Sequence, residues 1–131
     1  MPPERIGSLL RRHAGELDAV RRPALVHFDL WDGNVFVSPD AGGGARVTGM
    51  IDGERAFFGD PVAELVSLAL LRDPADCPEI LAGYAEVAGD DRIELTDGVR
   101  RRLAMYTSYL YLIMIVEGEP RGYTGPERAA L

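Results

Sequence analysis

The chain has 131 residues, 47% of them hydrophobic, and a formal net charge of −7. This length and composition can bury one modest core, so we expect a single domain over residues 1–131. The basic residues are all arginines and are scattered along the sequence rather than gathered in one stripe. That distribution argues against a nucleic-acid partner.

Cysteine content and hydropathy indicate the compartment. Cys77 is the single cysteine, which excludes an internal disulfide and a cysteine-rich zinc site and fits a reducing environment. The first twenty residues contain no continuous apolar run of the kind found in a secretory signal. The most apolar run, residues 103–116, is too short to span a bilayer. We therefore expect a cytoplasmic protein with no membrane span.

The first predicted elements are a helix and three strands. Apolar residues at helical spacing predict an amphipathic leading helix over residues 4–20, within a first segment of residues 1–22. Short segments rich in β-branched residues predict strands at Ala24–Val26, Val35–Ser38 and Ala45–Ile51. The turn residues of "PDAGGG" predict a hairpin between the second and third strands. A phosphate-binding loop is disfavoured there, because the glycines lack the G-x-G-x-x-G spacing and precede a strand.

The remaining sequence is predicted to be helical up to a short tail. Helices are expected over Val62–Leu71, over Glu79–Ala88 and from a cap at Thr96 to about Glu117. The chain thus divides into the leading helix, a β segment at 24–60, a helical region at 61–118 and a tail at 119–131 without regular structure.

Polar residues concentrate in "LVHFDLWDGN", which holds His27, Asp29 and Asn34 in the spacing H-x-D-x-x-x-x-N. The stretch lies between two predicted strands, and the third strand ends in "GMIDGE", which contains Asp52. Phosphoryl transfer needs a group that accepts the proton of an attacking hydroxyl and oxygen ligands for a divalent metal. Asp29 fits the role of the base, and Asn34 and Asp52 fit the role of magnesium ligands.

Each residue also has a simpler structural interpretation. A histidine after an apolar strand is usually a hydrogen-bonded packing residue, so we do not expect His27 to react. Asp29 alone is a common turn residue, and Asp52 before a glycine is an ordinary turn signal. Asp60 before Pro61 is typical of a helix N-cap. Each of Asp29, Asn34 and Asp52 alone would suggest a turn. Because all three lie at ends of predicted strands in the spacing that phosphoryl transfer requires, together they favour a site.

Two stretches, "LVHFDLWDGNVFV" and "VTGMIDGERAFFGDPVAEL", resemble the catalytic core of the aminoglycoside phosphotransferase and fructosamine kinase group of small-molecule kinases. The resemblance covers about residues 25–65. It implies an α+β fold: a mostly helical, protein-kinase-like C-terminal lobe in which a small β-hairpin element carries the catalytic loop. It also implies that Asp29 is the catalytic base, that Asn34 and Asp52 bind Mg²⁺ and with it the co-substrate ATP, and that His27 and Asp60 brace the loop.

The sequence departs from this family in several places. Phe28 stands where the family often has glycine, Gly53 where it often has an aromatic residue, and Glu64 where an aspartate is more usual. The chain has no lysine and no segment resembling the nucleotide-covering lobe. We therefore expect the chain to be a carboxy-terminal lobe, which is either an experimental or genomic fragment or a protein that needs a separate partner. The apolar surface that would face the cleft between lobes is then expected to be exposed or to be covered by a second copy of the chain.

The expected function is transfer of the γ-phosphoryl group of ATP to a hydroxyl of a small molecule, either aminoglycoside-like or a sugar or amine metabolite. We expect the isolated chain to be inactive without its N-terminal lobe. The alternative is a non-catalytic, pseudokinase-like binding module or a degenerate fragment in which the same residues maintain the fold. Three acids stay open: Glu64 is either buried with a partner or on a thin exposed face, and Glu117 and Glu119 either contact a cationic substrate or are ordinary helix-end acids.

Overall fold

The computed structural model describes residues 3–118, 120 and 122 of the chain. The α-helices of this part are α1 (Pro3–Arg12), α2 (Ala14–Leu17), α3 (Glu64–Leu68), α4 (Pro78–Ala88) and α5 (Asp97–Gly118). The strands are β1 (Ala24–Val26), β2 (Val35–Pro39), β3 (Ala45–Met50) and β4 (Phe57–Gly59). The predicted α+β class is confirmed. The predicted tail at 119–131 lies outside the described residues except for Pro120 and Gly122.

The strands form two small antiparallel sheets, β1 with β4 and β2 with β3. The three predicted strands are confirmed to within a residue. The hairpin turn is confirmed as well, and the Asp40 carboxylate stabilises it by accepting hydrogen bonds from the N–H groups of Gly42 and Gly44. Strand β4 was not predicted, because its three residues acquire strand structure only by pairing with β1.

The predicted helix over residues 4–20 is wrong as one continuous element. Helix α1 ends at Arg12, and the chain turns at His13 before the single turn of α2. The N–H of His13 is shared between the carbonyls of Leu9 and Leu10, an arrangement common at helix ends. The next residues include Gly15, whose low helix propensity favours an end here over continuation.

The later helices match their predictions unevenly. The segment predicted as Val62–Leu71 contains a 3₁₀ turn at Pro61–Ala63 followed by the short helix α3. This helix ends at Leu68, because the next residue, Ala69, leaves the helical region with φ −97° and ψ 30°. Helices α4 and α5 lie close to their predicted bounds. The predicted cap is confirmed, since Thr96 Oγ1 accepts a hydrogen bond of 3.3 Å from the N–H of Val99.

One hydrophobic core joins the β segment to the helices. It consists of Val26, Phe28, Val62, Ala63, Leu65, Val66, Leu103 and Leu110. Strand β1, helix α3 and helix α5 therefore meet behind the residues that follow β1. Burial of this apolar surface is the main force that holds those residues in position.

The β2–β3 hairpin and the residue after it carry large apolar side chains that are between 49% and 61% exposed: Phe36, Val37, Val47, Met50 and Ile51. Exposed large apolar side chains at this density give the hairpin apolar surface that another chain or lobe can cover. Among the described residues, no helix is both long and apolar enough to cross a membrane.

Candidate functional site

The hairpin brings Asn34 and Asp52 to the same end of its two strands. Val35 pairs with Met50, and the N–H of Ile51 donates to the carbonyl of Asn34 at 3.1 Å. In an antiparallel pair, residues just outside the last bonded pair stay adjacent. Asn34 lies directly before β2, and Asp52 lies two residues after the end of β3.

Asn34 also connects the hairpin to the loop that follows β1. Its amide Nδ2 donates to the backbone carbonyl of Asp29 at 2.8 Å, and its side chain is buried. Because only the amide nitrogen can donate to a carbonyl, Oδ1 remains an acceptor. No donor from the described part of the chain reaches that oxygen.

His27 links the end of β1 to the end of β3. Its Nε2 lies 3.0 Å from the carbonyl oxygen of Ile51 and so carries the proton that this carbonyl accepts. Its Nδ1 is buried and has no hydrogen-bond partner among the described residues. The His27 ring therefore holds the end of β1 close to Ile51, the residue before Asp52.

The Asp29 carboxylate has one oxygen in an ion pair. Arg55 Nη1 donates to Asp29 Oδ1 at 3.2 Å, and Arg55 Nη2 donates to Glu117 Oε2 at 2.6 Å. No described residue donates to Asp29 Oδ2. Neither Arg55 nor its contact with Glu117 was predicted, because the partners are far apart in sequence and an arginine after a turn carries no local signal.

Asp52 is exposed and adopts a left-handed conformation with φ 64°, at the start of the 3₁₀ turn Gly53–Arg55. Its side chain makes no hydrogen bond or ion pair with the described residues. We call Asp29, Asn34 and Asp52 the oxygen cluster. Each member keeps at least one side-chain oxygen without a described protein donor.

Glu64 resolves the choice that the sequence left open, since it is partly buried and has partners. Its Oε2 accepts the backbone N–H of His27 at 2.6 Å, and its Oε1 accepts the N–H of Phe28 at 3.3 Å and the hydroxyl of Ser67 at 2.9 Å. A carboxylate on helix α3 therefore fixes the backbone directly before Asp29.

Phe28 occupies an unusual backbone position between His27 and Asp29. Its φ is 59°, in the left-handed region that bulky residues rarely adopt. The side chain is only 2% exposed, and its ring contacts Phe57 edge-on at 5.5 Å and stacks on Tyr109 at 5.8 Å. Packing of the aromatic ring offsets the backbone strain.

Asp60 combines the predicted N-cap with an ion pair to helix α5. Its Oδ1 accepts the N–H of Val62 at 3.1 Å, and its Oδ2 accepts Arg102 Nε at 2.7 Å. Burial, together with the charge and hydrogen bond of Asp60, raises the pKa of Tyr106 to about 12. The described bonds of Asp60 thus join the start of the helical region to α5. We call Phe28, Asp60 and Glu64 the anchoring group.

The open side-chain oxygens of Asn34 and Asp52 are the kind of ligand that binds a hard cation such as Mg²⁺. No group of three or more His, Cys, Asp or Glu side chains that could hold a metal occurs in residues 3–118. Magnesium is commonly held by one or two protein oxygens together with water and substrate phosphates. Asn34 and Asp52, with open oxygens at one end of the hairpin, fit that smaller requirement.

The sequence model of a protein family described as the phosphotransferase enzyme family matches residues 2–106 of the chain. The matched region contains the oxygen cluster and the anchoring group. No curated protein and no solved structure gives a significant match to the chain.

Proposed function

This chain belongs to the phosphotransferase enzyme family, and from that premise we propose that it transfers the γ-phosphoryl group of ATP to a hydroxyl of a small molecule. The acceptor class proposed is an aminoglycoside-like compound or a sugar or amine metabolite. The supporting observation is the oxygen cluster. The Asn34 side chain donates to the Asp29 carbonyl, and the N–H of Ile51, the residue before Asp52, donates to the Asn34 carbonyl. Each member nevertheless keeps a side-chain oxygen without a described donor.

Asp29 is the proposed base. Its Oδ2 accepts the proton of the acceptor hydroxyl while the hydroxyl oxygen forms a bond to the γ-phosphorus. The bond between that phosphorus and the bridging oxygen breaks, and ADP leaves with the electron pair. The hydrogen bond from Asn34 to the Asp29 backbone holds the base at the mouth of the loop.

Asn34 and Asp52 are the proposed ligands of Mg²⁺. When bound, the ion supplies positive charge that offsets the negative charge of the phosphates. Asn34 contributes an uncharged oxygen and Asp52 a carboxylate, so the pair leaves net positive charge for the nucleotide. His27 and Asp60 are proposed as bracing residues, the first through Ile51 and the second through Arg102.

We also propose that the nucleotide-covering surface comes from a further lobe or partner. The chain has no lysine to pair with the phosphates. The exposed apolar side chains of the hairpin, Phe36 and Val47 among them, give such a lobe a surface to cover. Self-association over the same side chains is the competing outcome, and light scattering that shows only monomer at high concentration would exclude it.

Two assays test the proposed function. The first follows radiolabel from [γ-³²P]ATP to a panel of aminoglycosides, sugars and amino alcohols, with the chain alone and joined to an upstream nucleotide-binding lobe. We expect transfer by the joined form and its loss in Asp29→Asn. Failure of the joined form to transfer label to any acceptor would support the non-catalytic binding module instead.

The second assay measures the unfolding temperature of the chain with and without Mg²⁺-ADP. A ligand that binds only the folded state raises this temperature by mass action. We expect a rise for the wild-type chain and none for Asp52→Asn. Equal rises in both would remove Asp52 from the metal site.

A further inference from the structure

An ionic chain that the proposed reaction leaves unused runs from Asp29 through Arg55 to Glu117. The Arg55 guanidinium contacts Asp29 at 3.2 Å and Glu117 at 2.6 Å through different terminal nitrogens. The Arg55 side chain is only 16% exposed, so solvent and salt screen these contacts less than surface pairs. The contact with Glu117 is the shorter one, which indicates that Glu117 holds the guanidinium more firmly than Asp29 does.

The planar shape of the guanidinium gives this arrangement a chemical consequence. An arginine bound to a single carboxylate frequently donates two parallel hydrogen bonds, one to each oxygen. Such a contact at Asp29 would occupy Oδ2, the oxygen proposed to accept the hydroxyl proton. Because Arg55 Nη2 is bonded to Glu117, Arg55 reaches Asp29 through Nη1 and Oδ1 only.

We propose that Arg55 and Glu117 are positioning residues for the catalytic base. Arg55 fixes the Asp29 carboxylate through Oδ1, and Glu117 prevents Arg55 from covering Oδ2. This inference rests on the proposed role of Asp29 in phosphoryl transfer. The inference adds the C-terminal end of α5 to the residues that position the proposed base, although Glu117 lies outside the residues matched by the family model.

The first test measures the carboxylate itself. The full chain is labelled with ¹³C-aspartate, and the Asp29 carboxyl signal is assigned by its loss in Asp29→Asn. We expect Glu117→Gln to shift this signal when Arg55 is present. We expect the double variant Glu117→Gln and Arg55→Lys to give the same signal as Arg55→Lys alone, since a lysine ammonium has no planar fork that the loss of Glu117 could redirect. An unchanged signal in Glu117→Gln, or equal shifts in both backgrounds, would overturn the proposal.

The second test uses kinetics of the joined form described above. Glu117→Gln should lower kcat by about tenfold, a part of the roughly 10²–10⁴-fold that a positioned base contributes. The acceptor KM should stay unchanged. Adding Arg55→Lys should restore part of the rate, because the lysine ammonium can still pair with Asp29 Oδ1 but has no planar fork to cover Oδ2. A double variant slower than Glu117→Gln would contradict this and indicate two independent structural losses.

The two readouts separate this inference from the proposed function. Absence of transfer in the wild-type joined form overturns the proposed function, whereas the carboxyl signal needs no turnover and still decides whether Glu117 acts on Asp29 through Arg55. Amide spectra of each variant show whether it has folded.

Discussion

The anchoring group and the oxygen cluster meet where Phe28 precedes Asp29, but they use their side chains in opposite ways. In the anchoring group, Glu64 accepts three hydrogen bonds and Asp60 receives a backbone N–H and an arginine. In the oxygen cluster, Asp52 has no described side-chain partner and Asp29 has one. A carboxylate that stabilises the fold is saturated with donors, whereas one available for chemistry keeps an oxygen open.

The comparison implies a division of free energy between the two groups. Substitutions in the anchoring group remove buried packing or leave donors unpaired, so they should cost stability. Substitutions in the oxygen cluster remove few protein contacts, so they should cost binding or rate while leaving the fold intact. If the division holds, the loss of stability on substitution should be largest in the anchoring group and smallest in the oxygen cluster.

The largest effect is expected at Phe28. Phe28→Ala should lower the free energy of unfolding by about 4 kcal/mol, because it deletes a buried ring. Phe28→Gly should be less damaging than Phe28→Ala by about 1 kcal/mol, since glycine adopts the left-handed conformation without strain. Urea unfolding of both variants measures the difference.

Phe57 supplies the matched control for this prediction, because it contacts Phe28 but lies in strand β4 without a positive φ. There the order should reverse, with Phe57→Gly less stable than Phe57→Ala. If Phe28→Gly is also less stable than Phe28→Ala, the backbone of Phe28 is not strained.

The next effect is expected at Glu64. Glu64→Gln keeps the shape of the side chain but replaces one acceptor oxygen with a donor, which then faces a backbone N–H of the loop. The free energy of unfolding should fall by about 2–3 kcal/mol. Glu54→Gln, at an exposed position, is the control and should stay within about 0.5 kcal/mol of wild type. Equal stability of the two variants would contradict the anchoring role.

The same contrast explains how much the sequence could predict. Strands β1 to β3, the Asp40 hairpin and the Thr96 cap carry local signals, and each was predicted within a residue or two. The candidate site of Asp29, Asn34 and Asp52 could be found from the sequence, because each of these residues lies next to a strand that the sequence predicts. The contacts around these residues were not visible, since Glu64 bonds to the backbone of the loop before Asp29, and Arg55 joins Asp29 to Glu117, across distant parts of the chain. Helix α1 was predicted too long because periodicity does not register a break as short as the one at His13.

A smaller effect, with a defined pH dependence, is expected at Tyr106. Its pKa is raised from about 10 to about 12, so the folded state keeps the phenol proton at a pH where the unfolded state releases it. Stability from this residue is therefore complete below pH 10 and is lost as the pH rises towards 12. Tyr106→Phe should cost about 1 kcal/mol at neutral pH.

The measurement for Tyr106 is urea unfolding at several pH values. Above pH 10, wild type should lose stability more steeply than Tyr106→Phe, so the two curves should converge. Parallel curves over this range would show that the phenol proton is not held by the fold.

The smallest effect on stability is expected at Asp52, where the two groups differ most sharply. Asparagine tolerates the left-handed conformation, and the carboxylate has no described partner to lose. Asp52→Asn should therefore stay within about 0.5 kcal/mol of the wild-type free energy of unfolding, while Mg²⁺-ADP no longer stabilises the chain. Asp52→Ala should also lose the ligand but cost more stability, because alanine tolerates the left-handed region less well than asparagine. If Asp52→Asn destabilises the chain as much as Glu64→Gln does, Asp52 is an anchoring residue, and the division between the two groups fails at the residue on which the metal site depends.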